Sequence, residues 1–379
     1  MNLMGKTITT EQSVFDALSI CLEKQLVFSI YRLPGQKEVS LIVQKDQQLK
    51  ALNCLDNIST EGGFLIAPFS KNSSDKIYFL RPDYIFRESL TSEQLENLRS
   101  IHSPAINGAA HISPEETHNS EYLLQINKTI EEIKKGEYDK VVLSRVKIIP
   151  GAFPGHLRTI FELLCESYPN AFIYLFRFKD QCWIGASPEP LICAREDELF
   201  TVSLAGTRPY SDSNMEITNW NHKELIEQDY VTRNIESVLD EYDIREYQKR
   251  GPYTKKAGKL IHLRTDFSFT FKEVGDNLPL LIDALHPTSA VCGMPKEKSL
   301  GFIKGMEKHN REYYAGYLGP VGIDDKLQLY VNLRCMKVLE NELALFIGGG
   351  ITDESVPVDE WEETEIKADT LLSVVQQIQ

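Results

Sequence analysis

Apolar and polar residues alternate along this chain in two periods, and the periods trade places many times. Residues 10–24 repeat apolar positions at helical spacing through Val14, Leu18, Cys21 and Leu22, which predicts a helix. The runs LVFSIYRL and VSLIVQ flank a Pro34-Gly35 turn and predict strands. GGFLIAPF and IYFLRPDYIF predict further strands. Residues 102–120, polar and carrying two prolines, read as a linker. The pattern beyond is denser. Helices are predicted near 119–136, 156–167, 221–241, 279–285, 298–310 and 358–376. Strands are predicted at KVVLSRVKII, AFIYLFRF, CWIGA and ELFTVSLAG, the last ending in a glycine turn, and near 313–322, 328–339 and 342–349. Strands come in adjacent groups between helices. That order predicts an α+β fold with two layered, largely antiparallel sheets flanked by helices, not a repeated βαβ wind. The whole of 1–379 reads as one domain, with 1–120 its variable part and 121–379 the part that carries the recognisable segments.

Composition changes this picture little. Hydrophobic residues make up 42% and charged residues 25%, which is ordinary for a globular chain. Charge matters more. A formal net charge of -14 repels nucleic acid and anionic lipid, so neither is expected as a partner. An anionic small molecule can bind only where cations or a metal reverse the sign locally. The basic stretch REYQKRGPYTKKAGK lacks interleaved aromatics and reads as a solvated hairpin or loop. Seven cysteines without a Cys-x-x-Cys read as free, buried thiols of a reducing compartment. No secretory-type core and no run near the ~20 apolar residues of a membrane span occur, so the expectation is a cytoplasmic protein. His102, His111 and His118 read as solvated loop residues.

Several polar residues sit where chemistry could use them. Glu360, Glu363 and Lys367 stand at i, i+3 and i+7 of the last helix and share one face. A surface ladder with a Glu363–Lys367 pair has this spacing. So does a pair of carboxylates holding a hard cation beside a lysine for an anionic ligand. Glu227 lies at the edge of the buried face of the 221–241 helix. Gly348, Gly349 and Gly350 follow an apolar strand and suit either a tight turn or close approach of a ligand. Lys140 opens a strand of apolar residues, and Glu189 lies between prolines in GASPEPLI.

Together these segments resemble the chorismate-utilising enzymes. The stretches are DKVVLSR, WIGASPEPLI, SLAGTRP, KELIEQ, IHLRTDF, LHPTSAVCGMPK, REYYAGYLGPVG, NLRCMKV and IGGGITDESVPVDEWEETEIKA. They occur in family order across 139–368. The resemblance implies a large α+β fold with the site in a cleft between its layers, a Mg²⁺ cofactor, chorismate as substrate and a monomer. Within the family the chain is most similar to isochorismate synthases of the menaquinone or siderophore type. These move the chorismate hydroxyl from C4 to C2 by attack of water.

By the same resemblance Lys140 is the base that activates water and Glu189 the acid that protonates the leaving oxygen. Glu227 and Glu363 are metal ligands, with Glu360 beside them or acting through water. Arg334, Tyr314, Lys367 and the backbone around Gly348 and Gly350 receive the carboxylates, and His262 faces the substrate. Ala205 and Ala290 stand where family members that use ammonia carry other residues. Those members also tend to carry Gln in place of Lys140. A salicylate synthase, which goes on to expel pyruvate, is the nearest rival, and a silent binding module is a third reading. One departure is visible: Gln228 stands where the family has a histidine beside its metal-binding glutamate.

Overall fold

The computed structural model describes residues 12–378 except 56–61, 71–75, 103–112 and 325. Most of the expected linker, with His111, lies outside the described residues. Among the described residues the strands assemble into two nine-stranded sheets. Every ladder in both is antiparallel. The α+β expectation therefore holds.

The first sheet runs, in spatial order, Gly293–Met294, Lys140–Pro150, Glu342–Ile351, Cys335–Val338, Gln181–Ser187, Phe172–Phe178, Val27–Arg32, Val39–Gln44 and Tyr84–Phe86. The second runs Tyr247–Ala257, Leu260–Thr270, Glu198–Pro209, Pro190–Arg195, Lys326–Val331, Tyr317–Ile323, Gly63–Ala67, Ile77–Leu80 and Lys50–Leu52. Strands from the first hundred residues thus extend both sheets. Val27–Arg32 pairs with Phe172–Phe178, and Gly63–Ala67 pairs with Tyr317–Ile323.

Their apolar faces explain the layering. One core cluster, with Phe64, Phe172, Trp183, Leu329 and Phe346, draws on both sheets. A second, with Phe28, Ile173, Leu345, Leu371 and Val374, joins the other face of the first sheet to helices Val14–Glu23, Leu157–Ser167 and Pro357–Val375. A sheet buried on both faces needs the near-continuous apolar strands seen in the sequence. The pattern of burial in Val27–Arg32 and Val39–Gln44 is unbroken.

Several expected elements need correction. The stretch 328–339 is not one strand. It divides into Lys326–Val331 of the second sheet and Cys335–Val338 of the first. The break is Asn332-Leu333-Arg334, where Arg334 adopts a positive φ of 48°. IYFLRPDYIF likewise divides into Ile77–Leu80 and Tyr84–Phe86 around Pro82, which has no N–H for a ladder. ELFTVSLAG does not end at its glycine. The strand continues to Pro209 through a register shift between Ala205 and Arg208, with Gly206 at φ 66°. That is the geometry of a bulge. Gly348–Gly350 lie inside the strand Glu342–Ile351, paired opposite Ser144, Leu143 and Val142, and make no turn. The helix Ser92–Ser100 was not anticipated, although Thr91 and Gln94 form a reciprocal cap at its start. All seven cysteines are free; Cys54 is exposed and Cys165 half-buried, so five match the buried-thiol expectation. No helix among the described residues is long and apolar enough to cross a membrane.

Candidate active site

Two crossings between the sheets build the site. The chain leaves the first sheet after Ser187, passes Pro188-Glu189, and enters the second at Pro190. It returns through Asn332-Leu333-Arg334. The crossings lie against each other, since the Val331 N–H donates to the Glu189 carbonyl at 2.9 Å. Glu189 and Arg334 are thereby held between the layers. A cleft of about 780 Å³, its open mouth included, forms there. Of the residues named from sequence, it is lined by Glu189, Ala205, Glu227, His262, Ala290, Tyr314, Arg334, Gly348, Gly350, Glu363 and Lys367. Lys140 lies directly behind, with its Nζ 2.9 Å from Glu227 Oε1.

Each polar group has a physical setting. Glu189 is buried, and loss of water pushes its carboxyl up to about 8, against a smaller opposing pull from Lys140. Thr288 Oγ1 stands 3.5 Å from Glu189 Oε1. A carboxylic acid that holds its proton at neutral pH is thus available in the cleft. His262 is its converse. Burial and the nearby Arg334 charge pull its imidazole down to about 3. Its Nδ1 lies 2.8 Å from the Gly206 carbonyl, which only accepts, so Nδ1 carries the proton. Nε2 is left as an acceptor, and the ring is neutral. The bulge at Gly206 supplies that carbonyl.

Arg334 has no ion pair and no side-chain hydrogen bond among the described residues. It is a cation lining the cleft and able to receive an anion. Tyr314 stacks on Phe346 with ring centres 5.6 Å apart. Burial raises its hydroxyl, so it remains a donor. Gly348 and Gly350 face the cleft because successive residues of a strand point to opposite faces. A Cβ on Gly348 would stand 2.7 Å from the Tyr314 hydroxyl. One on Gly350 would stand 2.4 Å from Glu227 Oε1 and 2.7 Å from Lys140 Cε. Close approach, not turning, explains these two glycines.

The acidic residues come from two helices, His222–Glu241 and Pro357–Val375. Each is met by a lysine. Glu227 faces Lys140, in a geometry too bent for a hydrogen bond. Glu363 pairs with Lys367 at 2.5 Å. Glu360, buried, pairs with Lys223 and accepts a 2.6 Å hydrogen bond from Ser355 Oγ. Lys367 also donates to the Gly348 carbonyl at 3.0 Å. The Glu363–Lys367 pair of a surface ladder is present, but it lies in the cleft wall.

Burial raises the Glu227 carboxyl, but Lys140 first, then Lys367 and Lys223, hold it below the usual glutamate value. Burial and the neighbouring Glu363 push Glu360 up to about 7. Among the described residues no three His, Cys, Asp or Glu side chains converge as a ready ion cage. The fit to Mg²⁺ rests instead on Glu227 and Glu363, which line both the cleft and a second opening beside it and offer the oxygen donors that suit a hard divalent cation. Glu360 lines neither opening, and its buried Oε2, which accepts no hydrogen bond, lies at the Gly349 side of the strand.

Some features were not legible beforehand. Lys223 was not singled out, although it lies four residues before Glu227 on the same helical face. Gln228 turns away from Glu227. Its Nε2 donates to Ser203 Oγ at 2.6 Å and Thr265 Oγ1 at 3.2 Å, so it ties the helix to the second sheet. The basic stretch is an edge strand, Tyr247–Ala257, and is a hairpin as expected. Its Lys255 and Lys256 also line a groove that shares His262 and Arg334 with the cleft.

Comparisons with known proteins bear on the family and the fold. The chorismate-binding enzyme family pattern matches residues 80–376. The chain is 28% identical over 268 residues to isochorismate synthase MenF of Bacillus subtilis, a match covering 69% of this chain and 56% of that protein. It is also 28% identical over 284 residues to the vibriobactin-specific isochorismate synthase of Vibrio cholerae, covering 72% of each. In fold it is similar to the menaquinone-specific isochorismate synthase MenF of Escherichia coli, with a TM-score of 0.76 at 22% identity, over 95% of this chain and 91% of that one. With both its sequence pattern and its layered fold matched, the chain belongs to the chorismate-binding enzyme family.

Proposed function

We propose that this protein is an isochorismate synthase, which adds water to C2 of chorismate as the C4 hydroxyl leaves. The observation that carries the reading is the pairing of unlike groups at one cleft: Glu189, which lines it and keeps its proton to about pH 8, and Lys140, fully buried directly behind its wall. Acid and base on one ligand are what this exchange of hydroxyl groups requires. In this reading Glu189 gives its proton to the C4 oxygen. Lys140 would take one from the attacking water, for which its pair with Glu227 must open and its ammonium must first give up a proton. Ala205 and Ala290, whose side chains are only methyl groups, line the cleft with Glu189. The residues that stand in their places in ammonia-using relatives are absent.

Two carboxylates must be received. Arg334 and the Tyr314 hydroxyl would take the enolpyruvyl carboxylate, with Lys367 and the Gly348 and Gly350 backbone beside them. His262 Nε2 would accept from a ring hydroxyl. Glu227 and Glu363 would hold Mg²⁺, with Glu360 close by. When bound, the ion supplies positive charge for the ring carboxylate in an otherwise acidic protein.

Incubating the protein with chorismate and Mg²⁺ and separating the products tests the reading. Isochorismate alone supports it. Salicylate with pyruvate shifts the assignment to a salicylate synthase, and no turnover leaves a silent binding module.

Two substitutions test the geometry. Arg334→Ala is expected to raise KM roughly 10- to 100-fold, from about 1.5–3 kcal/mol for a hydrogen bond to a charged group, with kcat changed far less. An unchanged KM removes Arg334 from carboxylate recognition. Gly350→Ala is expected to cost about 100-fold or more in kcat/KM, because its methyl displaces Glu227 and Lys140. Gly349→Ala is the control. Its Cβ meets nothing nearer than Glu360 Oε2 at 3.5 Å, so activity and melting temperature are expected to stay near wild type.

A further inference from the structure

Three lysines face the three acids expected to hold the metal, and they differ in their freedom to leave. Lys140 is fully buried. Lys367 is tied to both Glu363 and the Gly348 carbonyl. Lys223 sits in the first turn of helix His222–Glu241 with its side chain 21% exposed, although its partner Glu360 is 1% exposed. Its charge interacts most strongly with Glu360, then with Glu227 and Glu363. It also lines a second opening, which shares Glu227 and Glu363 with the cleft.

We infer that Lys223 is a tethered counter-cation of the metal-free site: it neutralises Glu360 until a divalent ion arrives, then swings out through the second opening. The inference rests on the reading of these acids as metal ligands. It explains why each carboxylate is paired with its own lysine. A lysine is a compact charge on a flexible stem, able to release where a bidentate arginine would resist. While Lys223 occupies Glu360, only the fraction of molecules with it swung away is competent for the ion, and the apparent affinity falls by that fraction.

The test is calorimetric titration of the full-length protein with Mg²⁺ alone. Lys223→Gln is expected to bind Mg²⁺ roughly tenfold more tightly than wild type. It is also expected to melt at a lower temperature in EDTA, since Glu360 then lacks a counter-charge. Lys223→Arg keeps the charge and is expected to bind Mg²⁺ no more tightly than wild type. Unchanged or weaker binding by Lys223→Gln overturns the inference, as does tighter binding by Lys223→Arg.

A measurement on the unmutated protein covers the case in which the variant does not fold. Amine acylation followed by mass spectrometry is expected to find Lys223 protected in EDTA and several-fold more reactive with Mg²⁺. Equal reactivity overturns the inference. If wild type binds no Mg²⁺, the metal assignment and the inference fall together. If wild type binds it and the Lys223 results are negative, only the inference falls.

Discussion

Glu189→Gln is expected to lose about 10²–10⁴-fold in kcat while making the protein more stable. The amide keeps the shape of the side chain but has no acidic proton to give to the leaving oxygen. The stability gain follows from linkage. Burial raises the folded-state value of Glu189 from 4.5 to about 8. Below the ordinary glutamate value both folded and unfolded chains hold the proton, and the glutamate costs nothing by ionisation. Between there and about pH 8 the unfolded chain releases it and the folded chain does not. Wild-type stability therefore falls with rising pH across that window. A neutral glutamine escapes this cost. The difference in melting temperature between Glu189→Gln and wild type should grow from pH 5 to pH 8 and then level off. Wild-type activity should decline on the alkaline side with a midpoint near 8, and that limb should vanish in the variant. A variant that retains wild-type kcat removes Glu189 from the acid role.

Lys140→Gln is the second change with a large expected effect. We expect a fall of about 10²–10⁴-fold in kcat with chorismate binding retained, measured by calorimetry beside steady-state kinetics. The substitution keeps most of the side-chain volume behind Gly350. Its chemical interest is that the family resemblance implies glutamine at this place in members that use ammonia. Stability should move the opposite way from Glu189→Gln. Lys140 is the first of the charges that hold Glu227 below its ordinary value. A carboxyl so depressed contributes stability above the ordinary glutamate value and loses it as pH falls through the depressed one. The variant should thus melt below wild type at neutral pH, with the gap closing in acid. Retained turnover would take the base role away from Lys140.

These two residues show what a sequence can and cannot say. The strands around them were legible because a buried strand is a run of apolar residues, as at Lys140–Pro150 and Phe172–Phe178. Sheet membership was not. Residues 328–339 look like one apolar run, yet Arg334 at positive φ moves the chain from one sheet to the other. The same holds for Ser187 to Pro190. Periodicity is local, whereas a crossing depends on which distant strands are partners. Gly206 read as a turn for the same reason: a bulge is defined by the neighbouring strand.

In the site, helical spacing alone placed Glu360, Glu363 and Lys367 on one face. The nine family-like stretches supplied Lys140, Glu189, Arg334 and the rest. Neither source showed that the acids are already paired with lysines. The Lys223–Glu360 pair joins residues 137 apart in sequence, and only the packing of two helices brings them together. Gln228 was visible as a departure but not its consequence, which is a bond to Ser203 and Thr265 in place of one near Glu227.

The central claim is that this cleft delivers water, not ammonia, to C2 of chorismate. The most direct test is to supply both: the protein, chorismate and Mg²⁺ in ¹⁸O-labelled water with excess ammonium, followed by mass spectrometry of the products. Isochorismate bearing ¹⁸O at C2, with no aminated product, is the predicted result. An aminated product, or isochorismate without the label, would contradict it.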